Sequence, residues 1–339
     1  MDVDKNEWEI LQRAISEWEH TGLLSNDQGD KLKQSITCKG SERQQIAQYF
    51  FFIALFCTLM AFGAIFLNEK LLEKIKAYFA WSDLVIALIT ALLSALWFWY
   101  TAKKRNQVSS IAYEIYMVLG GLAVLTSLVY FCKEAHIDKT YTALLSLAVS
   151  ILVVIAQVFR SKALWIGAIG AAIGWFGTFS NWLSTDNLFL GMNYPMRYTV
   201  FGLIILLIAL LQRQVKQISF GQRITYIAGL ILFFSGLWGI SIFGNYNTLV
   251  GWQQVRQVHV LAYSIVFAFA SALSFYIGVR YKDDLARDFG VLFLLINLYT
   301  RYFEYFWDSM NKGIFFSILA ATFGLVGWLL ERQRKAKSE

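Results

Sequence analysis

Few side chains in this sequence are suited to acid, base or nucleophilic chemistry, so position marks the ones that are. Residues 289–308 hold the densest set. Asn297, Arg301, Glu304 and Asp308 follow at i, i+4, i+7 and i+11, with Thr300 beside them, which is one face of an α-helix. Such a face could carry a solute or a proton, or hold an anion on the Arg301 guanidinium. It could also be an internal ion pair, because Glu304 lies three residues from Arg301. A guanidinium near the middle of a lipid-spanning helix costs on the order of 3 kcal/mol, so it must face protein or water and be paired. One self-satisfied pair needs no ligand, and a structural pair is the favoured expectation.

The other candidates are isolated. Glu114 stands in the first turn of an apolar stretch, and Gln157 and Arg160 end another. A proton relay between them is conceivable, but a carboxylate snorkelling to a water interface is the simpler expectation. His259, near Arg256, has no partners at metal-ligand spacing, and neither do Cys38, Cys57 and Cys132. No metal and no cofactor are expected. Gly167, Gly170, Gly174 and Gly177 make a small-residue stripe suited to close helix packing, within a bundle or in a dimer. The stripe is not a phosphate loop, since no strand precedes it and no lysine follows it. No Ser/His/Asp set and no close pair of catalytic carboxylates stands out.

These residues sit in a chain built for lipid. Its 339 residues are 57% hydrophobic and 16% charged, with one proline. Soluble domains average about a quarter charged. The apolar residues run in stretches of about 20, enough to cross a hydrocarbon core about 30 Å thick. A soluble enzyme, a nucleic-acid-binding domain and a disordered chain are thereby excluded. Ten spans are expected, at residues 49–67, 84–100, 111–132, 140–159, 163–183, 198–211, 224–243, 259–279, 289–307 and 313–330. Residues 71–80 read as an interfacial amphipathic helix. Pro195 is expected in the outer loop between the fifth and sixth spans.

The net charge of +7 is explained by where the basic residues fall. With the N-terminus inside, the inner connections carry 19 Lys and Arg and the outer ones 8. That bias predicts both termini cytoplasmic and an even number of spans. The first twenty residues are acidic and do not read as a signal peptide.

Residues 1–48 form the one substantial polar segment. Trp8, Leu11, Ile15 and Trp18 recur at helical spacing. Gly22 fits a C-terminal cap, and Ser25 with Gln28 fits a capping box. A cytoplasmic helical hairpin is expected, too small to bury a core alone. Its apolar face is the expected contact for a protein partner or a second copy. The domain plan is thus a hairpin at 1–48, an all-α transmembrane helix bundle at 49–331 and a basic tail at 332–339.

Two segments resemble a bacterial membrane family, the domain-of-unknown-function 2157 family. One is the Trp8…Leu11…Ile15…Trp18…Gly22-Leu23-Leu24-Ser25 hairpin. The other is Arg301-Tyr302-Phe303-Glu304-Tyr305-Phe306-Trp307-Asp308, followed by a last span and a basic tail. The resemblance implies a multi-pass protein of the bacterial inner membrane and assigns no activity. The expected function is a non-enzymatic structural or partner-binding role. The alternatives are a transporter or channel with a polar path past Asn297, Arg301 and Glu304, and a membrane enzyme acting on lipid-linked substrates.

Overall fold

The computed structural model describes residues 2–3, 5–35, 37–38, 50, 53–54, 56–58, 60, 82–105, 107–135, 141–215, 218–253 and 257–335. It divides into two compact units, Met1–His136 and Ile137–Glu339. Most of the first expected span, and all of the expected interfacial helix at 71–80, lie outside the described residues.

The first unit opens with a helical hairpin, α1 (Lys5–His20) and α2 (Asn26–Ser35). Gly22 turns the chain with φ +75°, a conformation a Cβ disfavours. The Ser25 amide donates to Gln28 Oε1 (3.2 Å) and the Gln28 amide to Ser25 Oγ (3.4 Å), the expected capping box. Lys33 Nζ donates to Glu19 at 2.9 Å and joins the two helices. A two-residue parallel pair links β1 (Asp2–Val3) with β2 (Thr37–Cys38). Then come α3 (Asp83–Lys103) and α4 (Ser110–Glu134), each opened by a serine N-cap, Ser82 and Ser109. They pack antiparallel: Trp97 Nε1 donates to Tyr116 O and Ser127 Oγ to Ala87 O, both at 2.8 Å.

The second unit contains α5 (Tyr141–Phe159), α6 (Lys162–Trp182), α7 (Tyr194–Gln212) and α8 (Gln222–Phe243). It continues through a five-residue α9 (Leu249–Gln253), α10 (Gln257–Tyr281), α11 (Asp284–Phe306) and α12 (Lys312–Lys335). Helix α5 packs on α6, α7 on α8, and α10 on α11, with α8 also touching α10. The core lies where α8, α10 and α11 meet, around Leu230, Phe234, Leu237, Ile240, Phe267 and Phe293. Phe234 and Phe293 stack with centroids 4.9 Å apart.

Among the described residues, seven helical segments are long and apolar enough to cross a membrane: α3 to α7, Ser219–Phe243 and Val258–Tyr281. Between 17% and 39% of each apolar window is buried. The remaining apolar surface suits a multi-pass membrane protein, because water tolerates no such area. The expected ninth and tenth spans are helical but are not among the seven. Asn297, Arg301 and Glu304 lower the hydropathy of α11, and among the described residues of α12 the apolar stretch Lys312–Gly324 is shorter than a span. The sixth span begins earlier than expected, because Asn193 caps α7 by accepting from the Met196 amide. Pro195 therefore belongs to the first turn of α7 and not to a loop. Its missing N–H is harmless there.

Candidate functional site

The face of α11 read from the sequence exists in part. Asn297 is buried and donates from Nδ2 to Ser264 O of α10 at 3.0 Å. Arg301 donates from Nη2 to Ser241 O of α8 (3.0 Å) and to Glu304 Oε1 (2.9 Å). Its Nη1 pairs with Glu304 Oε2. Thr300 Oγ1 accepts from Trp238 Nε1 of α8 at 3.0 Å. Asp308 does not join them: α11 ends at Phe306, and Asp308 is exposed beyond it. Nor is the guanidinium at mid-helix. Arg301 lies five residues before Phe306, about 8 Å from the helix end at 1.5 Å per residue.

An apolar cavity of about 910 Å³ lies beside this face, between α8, α11 and α12. Aromatic side chains space α11 from α12: Tyr299 stacks on Phe323 (4.5 Å) and Tyr302 on Phe315 (4.6 Å). Tyr302 also donates its hydroxyl to Phe315 O at 3.0 Å. The polar face is split by this geometry. Thr300 and Glu304 border the cavity, whereas Asn297 and Arg301 point into helix contacts. The remaining wall is leucine, isoleucine, alanine and aromatic side chains. A polar solute passing there would lose water without gaining a line of hydrogen bonds. The arrangement can fix the rotation of α11 against α8 and α10. Among the described residues, no three His, Cys, Asp or Glu side chains gather to hold a metal.

Of the other expected residues in the second unit, Gln157 and His259 do not join this face. Glu114 is half-buried on α4 of the first unit, and Gln157 is half-buried on α5 of the second. His259 is exposed in the first turn of α10. The glycine stripe is largely open: a Cβ on Gly167 or Gly170 would meet nothing, and one on Gly174 only Leu145 at 3.7 Å. Gly177 alone is crowded, by the Tyr198 hydroxyl. On the hairpin, Ile15 is buried, Leu11 is half-buried, and Trp18 is 45% exposed. The Trp8 side chain lies outside the described residues.

Two features were hidden from sequence reasoning. Glycines that do bring helices together include Gly202, Gly229 and Gly236 between α7 and α8, Gly278 and Gly290 between α10 and α11, and Gly120 between α3 and α4. They are spread over several helices, and the two on α8, Gly229 and Gly236, stand seven residues apart on one face. The second is Arg197, counted above only as an outer charge. Its guanidinium is fully buried. Nε donates to Met192 O (2.8 Å) and Nη2 to Asn187 O (2.6 Å), and the group lies 4.7 Å from the Tyr194 ring. Asn193 donates from Nδ2 to Gly244 O at 2.7 Å, and Asn245 donates from Nδ2 to Gly191 O at 2.8 Å. Arg197 and these asparagines pin the loop between α6 and α7 to the end of α8. No family model matches this chain, and searches of curated proteins and of solved structures return no match.

Proposed function

We propose that this chain is a ten-span protein of the bacterial inner membrane with both termini in the cytoplasm, and that its role is structural or partner-binding. The observation that carries this reading is how the α11 polar face is used. Asn297 Nδ2 bonds to α10, Arg301 Nη2 to α8 and Glu304, and Thr300 to Trp238, while Asn297 Oδ1 and Arg301 Nε are shut inside the helix contacts without a partner. The face serves helix packing and leaves no row of groups open to a substrate. The N-terminal hairpin is the contact element for a protein partner or a second copy, supported by exposed Trp18, Leu23 and Leu32. Membership of the domain-of-unknown-function 2157 family belongs to the same reading and rests on the hairpin and on residues 301–308. Replacing Trp8 and Trp18 with alanine should abolish the crosslinked species of the full chain in membranes. Unchanged crosslinking would remove the hairpin from the contact.

The second reading is a transporter or channel, favoured by the cavity that Thr300 and Glu304 border. Cysteines placed at Asn297 and Thr300 separate the two. A sealed helix contact protects both from water-soluble thiol reagents under all conditions, whereas a conduction path through the cavity labels Thr300 and leaves Asn297, buried against α10, protected.

A further inference from the structure

A second cavity, of about 770 Å³, runs between α7, α8, α10 and the turn from α10 into α11. Its wall is apolar, built by Leu203, Leu206, Leu210, Phe233, Leu273 and Ile277. At one end the lining changes to Arg213, Arg223 and Lys282, with Asp283 and Asp284 beside them. Both acids are already engaged. Asp283 accepts from the Ala286 amide (3.1 Å) and from the Tyr226 hydroxyl (2.9 Å). Asp284 is salt-bridged to Arg287 at 2.8 Å. The three bases are exposed, and none forms a salt bridge among the described residues. Asp283 keeps its charge, because its donors are neutral, and Asp284 is offset by Arg287, so three bases face one acid unpaired with a base: the cavity has a net cationic end and an apolar body.

That pairing matches one amphiphile. We propose that the groove holds an anionic phospholipid of the surrounding bilayer. Its phosphate sits among Arg213, Arg223 and Lys282, and one fatty chain lies along Leu206, Leu210 and Leu273. A soluble phosphate would use the rim and leave the apolar wall in water. A zwitterionic lipid would fill the wall but bring a cation to a rim whose bases already outnumber its acids. Leu203, Leu210 and Leu273 are exposed along the groove, so a lipid can enter sideways from the bilayer. Each nearby basic side chain contributes about 1 kcal/mol to anionic-lipid attraction, a factor of about five. The proposal rests on the chain's spanning a bilayer, which carbonate extraction of native membranes tests separately.

The experiment is native mass spectrometry of the full chain released from nanodiscs of equimolar phosphatidylglycerol and phosphatidylcholine. The wild type should retain one phosphatidylglycerol in preference to phosphatidylcholine. Arg213→Gln, Arg223→Gln and Lys282→Gln should each reduce that preference about fivefold, and the triple variant should abolish it. Leu210→Trp, which fills the wall and leaves the rim intact, should also lower retention. Millimolar glycerol phosphate, a headgroup without a tail, should not displace the lipid. Equal retention of the two lipids overturns the proposal, as does a triple variant or a Leu210→Trp variant that behaves like wild type. Full displacement by glycerol phosphate overturns it too, and assigns the rim to a soluble anion. Release of the chain by carbonate would instead sink the membrane reading itself.

Discussion

Arg301 and Glu304 each make the other tolerable in an apolar stretch. The guanidinium holds α8 through Ser241 O, and the carboxylate neutralises it from one turn away. Removing one partner strands a mostly buried charge, at a cost of about 3–5 kcal/mol, whereas removing both leaves only lost packing and one lost hydrogen bond. Glu304→Met should therefore lower the folded yield and the unfolding midpoint more than the double variant Arg301→Met/Glu304→Met does. Thermal unfolding of detergent-solubilised protein, followed by size-exclusion chromatography, measures both quantities. Additive effects would show that the two charges do not depend on each other. Normal yield for Glu304→Met would transfer the pair from structure to chemistry.

Helix boundaries were legible because their causes are local. Ser82, Ser109 and Ser161 cap helices within one or two residues of the expected starts, whereas Asn193 and Asp283 start α7 and α11 four and five residues before the apolar runs that the pattern reads. The pairing of helices was not legible, because it depends on which small residue lands opposite which backbone. Gly202 faces the Phe233 backbone and Gly290 the Phe275 backbone, whereas the conspicuous Gly167 and Gly170 face open space. Arg197 was equally hidden. Its partners are carbonyls of a loop whose left-handed turns at Asp186, Asn187 and Leu190 no apolar pattern encodes. The test at this scale compares identical substitutions at different glycines. Gly202→Val should destabilise the α7–α8 pair by about 1–3 kcal/mol through overpacking. Gly170→Val should leave the unfolding midpoint within about 1 kcal/mol of wild type, since Gly itself disfavours a helix interior. A reversed order would mean that α6 is covered on that face in the membrane.

Parity of the crossings decides the topology of the whole chain. Seven crossings alone would put the termini on opposite sides of the bilayer; ten put them on the same side. The basic residues favour the second arrangement, because 19 of them fall in the connections that ten spans make cytoplasmic. The decisive segment is α11, whose apolar run is interrupted by Asn297, Arg301 and Glu304. Helix α11 can cross only if its polar groups are held inside protein: Asn297 bonds to α10, Arg301 to α8, and Glu304 to Arg301 on the same helix, while Asn297 Oδ1 and Arg301 Nε stay buried without a hydrogen-bond partner. Alkaline phosphatase fusions, active only outside the cytoplasm, test this in sequence. A fusion after Phe243 should be active, one after Tyr281 silent, one after Met310 active again, and one at Glu339 silent. A green fluorescent protein fusion, which matures in the cytoplasm, should give the reverse pattern. A silent phosphatase after Met310 would mean that α11 never crosses. Arg301 would then face the cytoplasmic side, and its pairing with Glu304 would have no lipid to answer to.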